Sequence, residues 1–208
     1  MDKIGFLVSE QKYIDVLIGR FVDKKITQIF LNIWVITLKD KVLYFYLTEK
    51  GQNSGIIGCS KLYHFCGCEN IISFDSCVWV HSKERIDVGK IIKFNTNIIN
   101  YAFKEKPDFY HYDDCGISSY PDNIENESNL LLTCNEYISS AEVLDNLNLQ
   151  WKNYDNIFYD GSAYGIQAYC KSNCIDLVVL RFVKGYVEVQ LSDEILNKII
   201  EELLIYCK

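Results

Sequence analysis

The sequence predicts an α+β fold: a mostly antiparallel sheet with an N-terminal helix, one central helix and a C-terminal amphipathic helix. Three observations lead there. Runs rich in Val, Ile, Tyr, Phe and Trp pair up across short polar turns in "ITQIFLNIWVITLKDKVLYFYLTEK" and "CIDLVVLRFVKGYVEVQL". Stretches with helical periodicity stand at both ends of the chain. Both prolines, Pro107 and Pro121, fall in one segment, and no linker-like tract or internal repeat occurs elsewhere. The expected organisation is a single domain over 1–208, with 107–130 as the place where two lobes would meet. At 208 residues, 49% of them apolar, the chain can bury a core without a disulfide or metal.

Taken in order, "SEQKYIDVLIGRFVDKK" reads as a helix. Ser9 is its candidate cap, and Tyr13, Leu17 and Phe21 form one stripe. A β-hairpin follows, turning at Lys39, Asp40 and Lys41. "GQNSG" reads as a turn. "IIGCSKLYHFCGC", "FDSCVWVHS" and "VGKIIKFNTN" read as three further strands. "SSAEVLDNLNLQW" reads as the central helix, capped by Ser139 or Ser140. "YDGSAYG", with Gly161 and Ser162, reads as a turn into a strand, "YGIQAYCK". A second hairpin then turns at Lys184 and Gly185. The closing "SDEILNKIIEELLIYCK" carries Ser192 as cap and Asp193 and Glu194 at the positive end of the helix dipole. Its apolar face is Ile195, Leu196, Ile199, Ile200, Leu203 and Leu204.

Chemistry-bearing motifs are scarce. Cys59, His64, Cys66, Cys68, Cys77 and His81 fall within 23 residues, and these are zinc-ligating types. The C-x₂-C spacing of common zinc sites is missing, so no metal site is assigned and no cofactor is expected. His111, Asp113 and Cys115 are close in sequence but lack the surroundings of a nucleophilic dyad. "YDGSAYG" is not G-x-S-x-G, and no phosphate loop or dinucleotide fingerprint occurs. No catalytic residue is therefore predicted. The nine cysteines, an odd number behind an N-terminus without a leader pattern, suit reduced thiols in a cytosolic protein. The longest apolar run is too short to span a bilayer, so no membrane partner is expected.

Charge is unevenly placed. Residues 1–106 hold 15 Lys/Arg against 11 Asp/Glu, and residues 152–208 hold 6 against 8. Residues 107–151 hold 9 Asp/Glu and no Lys or Arg. A sequence pI near 5.0 argues against direct nucleic-acid binding. Within the acidic segment, "YHYDDC…YPDNIENE" interleaves carboxylates with tyrosines. Tyrosine is common at interface hot spots, and carboxylates steer basic partners. The candidate partner-binding residues are Asp108, Tyr110, Tyr112, Asp113, Asp114, Tyr120, Asp122, Glu125 and Glu127.

In size, leaderless N-terminus, charge and this segment, the chain resembles the bacterial toxin-immunity proteins of contact-dependent inhibition and polymorphic toxin systems. The resemblance implies a cytosolic, non-enzymatic inhibitor whose acidic, tyrosine-rich face neutralises a basic toxin such as a nuclease. The alternatives are a zinc-stabilised regulatory protein using the 59–81 cluster, a viral host-interaction protein, and an enzyme whose site the sequence does not display.

Overall fold

The computed structural model describes residues 1–82, 85–94, 98–100, 129–134, 154–185 and 191–207. The chain opens on strand β1 (Asp2–Val8), followed by helix α1 (Gln11–Gly19). Strands β2 (Ile26–Phe30), β3 (Ile33–Thr37) and β4 (Lys41–Leu47) lead to helix α2 (Gln52–His64). The long β5 (Asn70–Ser82) is followed by β6 (Ile91–Phe94), β7 (Ile98–Asn100), β8 (Asn129–Thr133) and β9 (Asn156–Asp160). Helix α3 (Ala163–Ser172), β10 (Asp176–Val183) and helix α4 (Asp193–Leu203) complete the fold, with a 3-10 turn at Leu204–Cys207.

The strands form one sheet in the order β2-β3-β4-β1-β5-β9-β8-β7, with β10 beside β5 and β6 beside β10. Strand β5 organises it. Its residues Asn70–Phe74 pair in parallel with β1, its residues Asn70–Cys77 with β10, and Val78–Ser82 run antiparallel to β9. Helices cover both faces. Phe6 and Val8 of β1 and Phe74 of β5 pack against Tyr13 and Leu17 of α1 and Ile199 and Leu203 of α4. Leu7, between them in sequence, points the other way, into a cluster with Cys59 and Leu62 of α2 and Ile166 of α3. A strand buried on both faces needs apolar residues throughout, and "GFLV" in β1 has that character.

The expected mostly antiparallel sheet is thereby corrected. Five of the nine strand pairings among the described residues are parallel, namely β1 with β4, β1 with β5, β5 with β10, β7 with β8, and β8 with β9. The cause lies in two stretches that the sequence assigned to strands. "IIGCSKLYH" belongs to α2 and "YGIQAYCK" to α3, and α2 is the crossover between β4 and β5, which run parallel on either side of β1. The inward faces of these helices are small: Gly55, Gly58, Cys59 and Leu62 in α2, and Ala163, Gly165, Ile166 and Cys170 in α3. Glycine and cysteine contribute little to an apolar stripe, so the helical period is muted. The small residues serve close approach. A Cβ on Gly58 would stand 2.5 Å from Leu7 Cδ2, and one on Gly55 2.7 Å from Ile166 Cγ1.

Other elements also differ from expectation. Strands β1, β7, β8 and β9 were not anticipated, and the first half of the N-terminal hairpin divides into β2 and β3. Helix α1 stops at Gly19, and its N-cap is Glu10, with Ser9 turned to another role. The central helix expected over 139–151 lies outside the described residues, as does most of the return strand after Gly185. Helix α4 is capped by Ser192, whose Oγ accepts the Ile195 N–H at 3.4 Å, and it buries Leu196, Ile199, Ile200 and Leu203. No helix among the described residues is long and apolar enough to cross a membrane.

Candidate active site

The carboxyl ends of β9 and β10 meet the middle of β5 at a cleft of about 240 Å³, walled by Asp75, Ser76 and Cys77 of β5, by Asp160 and by Lys184. Ligands of α/β folds with parallel strands bind at this end of the sheet, because loops and helix N-termini gather there. Lys50 and Gly51, just before α2, close another side.

Beneath the cleft lies a fully buried ion pair. Arg181 Nε donates to Asp160 Oδ2 at 2.7 Å, and both side chains are inaccessible to solvent. Two buried charges are tolerated when their remaining hydrogen-bonding capacity is also filled. Here Arg181 NH1 donates to the carbonyl oxygens of Ser73 (3.1 Å) and Leu180 (2.9 Å) and to Ser73 Oγ (3.1 Å). NH2 reaches Ser162 Oγ at 3.4 Å. Asp160 accepts from Thr133 Oγ1 at 2.7 Å and from the Ala163 backbone N–H at 3.1 Å, at the start of α3. The network ties β5, β8, β9, β10 and α3 into a rigid floor.

Asp75 stands opposite Arg181 in the parallel register and lines the cleft. Burial raises its pKa. The Arg181 charge, the Ser9 hydroxyl and the Ser76 backbone N–H oppose that rise, and the Asp160 charge adds to it. Ser9 Oγ donates to Asp75 Oδ1, and the Ser76 N–H donates to the same oxygen at 2.7 Å. The balance holds the carboxyl above the usual aspartate range, toward its protonated form. That is the state required of a proton donor. Glu10 is the opposite case. Burial acts to raise its pKa, but hydrogen bonds and charge from Lys184 (2.8 Å) and Lys12 (2.9 Å) prevail and bring it down to about 2. Glu10 is therefore an anion committed to two lysines. The Cys77 thiol is pushed up mainly by burial, so it stays protonated and is no nucleophile.

None of the nine candidate partner-binding residues, Asp108 to Glu127, lies within the described residues, and neither does the trio His111, Asp113 and Cys115. The Cys/His cluster is divided by the fold. Cys59 and His64 are in α2, Cys66 and Cys68 follow it, and Cys77 and His81 are in β5. No group of three or more His, Cys, Asp or Glu side chains placed to hold a metal occurs among the described residues. Asp75, Asp160, Arg181, Lys184, Ser9 and Glu10 were all missed by the sequence reading. A signal existed for two of them. Asp75 in "IISFDSCVWV" and Arg181 in "LVVLRFV" are single charges inside apolar runs, and a buried charge demands a partner.

No family model matches the sequence, and no curated protein matches it. Solved structures do match, over essentially the whole chain. The 5'-methylthioadenosine/S-adenosyl homocysteine nucleosidase of Campylobacter jejuni is 13% identical with a TM-score of 0.70, the match covering 100% of this chain and 97% of that one. A futalosine hydrolase mutant of Helicobacter pylori is 11% identical with a TM-score of 0.70 and the same coverage. The S-adenosylhomocysteine nucleosidase of Streptococcus pyogenes, in complex with 5-methylthiotubericidin, is 13% identical with a TM-score of 0.65, covering 96% of this chain and 90% of that one. These likenesses overturn the resemblance to toxin-immunity proteins, the non-enzymatic reading and the basic toxin partner, because the matching structures are enzymes named for small-molecule substrates. At such identities the likeness establishes the fold, and the fold is that of these nucleosidases.

Proposed function

We propose that this chain is a hydrolase of nucleoside-type small molecules, cleaving the N-glycosidic bond in the cleft beside Asp75. The observation that carries the reading is Asp75 itself: a carboxyl raised toward its protonated form at the wall of a cleft, in the middle of β5 beside the carboxyl ends of the parallel strands β1 and β10. The full-length fold likeness to nucleosidases supports it.

The chemistry balances with one carboxyl. As the bond between the anomeric carbon and the base nitrogen breaks, its electron pair goes to the base, and Asp75 supplies the proton that the base needs to leave. Water adds to the anomeric carbon and gives up a proton, which returns to the Asp75 carboxylate. Asp160 and Arg181 take no proton. They hold β5 and β10 in register behind the site. A cytosolic setting suits the reading, since the seven cysteines whose side chains are described are free thiols, the form a reducing compartment maintains.

Glu10 is engaged by two lysines and Asp160 by Arg181, so Asp75 must serve both the base and the water. Incubation with 5'-methylthioadenosine, adenosine and inosine, followed by chromatographic assay for the free base, is the test. Base release that falls as pH rises through the Asp75 titration, and is lost in Asp75→Asn, is the expected result. No release of base from any of the three, with or without binding, rejects the reading.

A further inference from the structure

A second cavity, of about 270 Å³, lies at the opposite end of β9 from the cleft. Asp160, the last residue of that strand, walls the cleft, whereas Asn156, its first, walls this cavity, roughly 13 Å away by strand rise. Three cations line it: Arg85 after β5, Lys90 just before β6, and Lys93 on β6. None of their side chains forms an ion pair or hydrogen bond among the described residues. Among the described residues the wall carries no Asp or Glu. Asp87, in the same turn as Lys90, is exposed and lies outside the wall.

Neutral donors accompany the cations. Ser82 Oγ donates to Asn156 Oδ1 at 2.6 Å, and Asn156 Nδ2 donates to Asn129 Oδ1 at 2.8 Å. The Asn129 amide is thus held by its oxygen, and its two Nδ2 hydrogens meet no acceptor among the described residues. Like charges gathered without a counter-ion repel one another, and a multiply charged anion relieves that repulsion. A wall of donors suits a ligand made of acceptors. A phosphate monoester offers three acceptor oxygens and close to two negative charges at neutral pH, and the guanidinium fork matches two of those oxygens at once. We propose that this cavity binds a phosphate-bearing small molecule, its phosphate received by Arg85, Lys90, Lys93 and the Asn129 amide. At about 270 Å³ the site is at the small end of ligand cavities, and Phe158 gives it an apolar side for the rest of the molecule. The inference does not depend on the nucleosidase reading, which uses the other end of β9.

The test is an NMR titration of the isotopically labelled full chain with inorganic phosphate, ribose 5-phosphate and ribose. Both phosphates should bind saturably, one per chain, at low salt and should shift the Asn129 side-chain amide signals, and ribose should not. Affinity should fall as salt is added. Equal binding of the two phosphates places recognition in the phosphate alone, and tighter binding of ribose 5-phosphate adds the sugar; either supports the site. Arg85→Gln and Lys93→Gln, both at exposed positions that do not threaten folding, should each weaken binding about three- to fivefold. Lys24→Gln, exposed before the edge strand β2, should leave it unchanged. Absence of phosphate binding at low salt would overturn the proposal. So would binding that leaves the Asn129 signals unmoved, or that Lys24→Gln weakens as much as Arg85→Gln does, since the attraction would then be diffuse. Base release at Asp75 is untouched by any of these outcomes.

Discussion

Two regions of the sheet are buried to the same degree by opposite means. Under α1 and α4, residues such as Phe6, Phe74, Phe182, Ile199 and Leu203 fill the interior with apolar side chains alone. At the carboxyl ends of β9 and β10, the interior is an ion pair with its hydrogen bonds, Asp160 with Arg181, Thr133 and Ser162. The apolar region gains from each methylene independently, so its losses are graded. The polar region is stable only while complete, because each member answers the desolvation of another. The first region holds the fold together; the second supports the cleft.

The sharpest way to break this contrast is Asp160→Ala. It leaves Arg181 buried without its counter-charge and should cost about 3–5 kcal/mol. Adding Arg181→Met to it should recover part of the loss, so the two substitutions should be far from additive in chemical denaturation. Simple additivity would mean that the pair is an ordinary contact and that the polar floor behaves like the apolar core.

Leu203→Ala tests the other region. Leu203 is fully buried on α4, and its truncation should cost about 3 kcal/mol, lowering the melting temperature by roughly 6–12 °C for a chain of this size. Unlike the change at Asp160, it should leave ligand binding at the cleft intact in the folded protein. Lost binding without lost stability would show that the two regions are coupled more tightly than their separate clusters imply.

The smallest effect is expected at Asp75. Its folded pKa is raised, so the native state holds the proton more firmly than the unfolded chain does. Below the unfolded value both states are protonated and the residue contributes nothing. As pH rises above that value, ionisation favours the unfolded chain. Asp75→Asn should therefore melt slightly higher than wild type near pH 7, and the difference should vanish near about pH 3. A variant less stable at neutral pH would mean that Asp75 is ionised in the folded protein and is no proton donor. The combination of lost activity and gained stability is the signature of a residue kept for function.

What was legible in the sequence follows the range of the interactions involved. Helix α4 could be read because its cap, its first-turn acids and its apolar stripe are local and strongly periodic. The hairpin of β3 and β4 could be read because a short polar turn joins two β-branched and aromatic runs. Helices α2 and α3 could not, since their buried faces use glycine, alanine and cysteine, whose value lies in how closely a neighbour approaches. The parallel pairing of β1 with β4 and β5 joins segments tens of residues apart, and nothing in β1 names its partners. Asp75 and Arg181 announced themselves as charges in apolar strands, so the need for partners was written in the sequence. Only the tertiary structure decided who those partners are. It brought Ser9, Glu10, Asp75, Asp160, Arg181 and Lys184 to one end of one sheet, because burial makes each charge depend on groups that the chain supplies from far away.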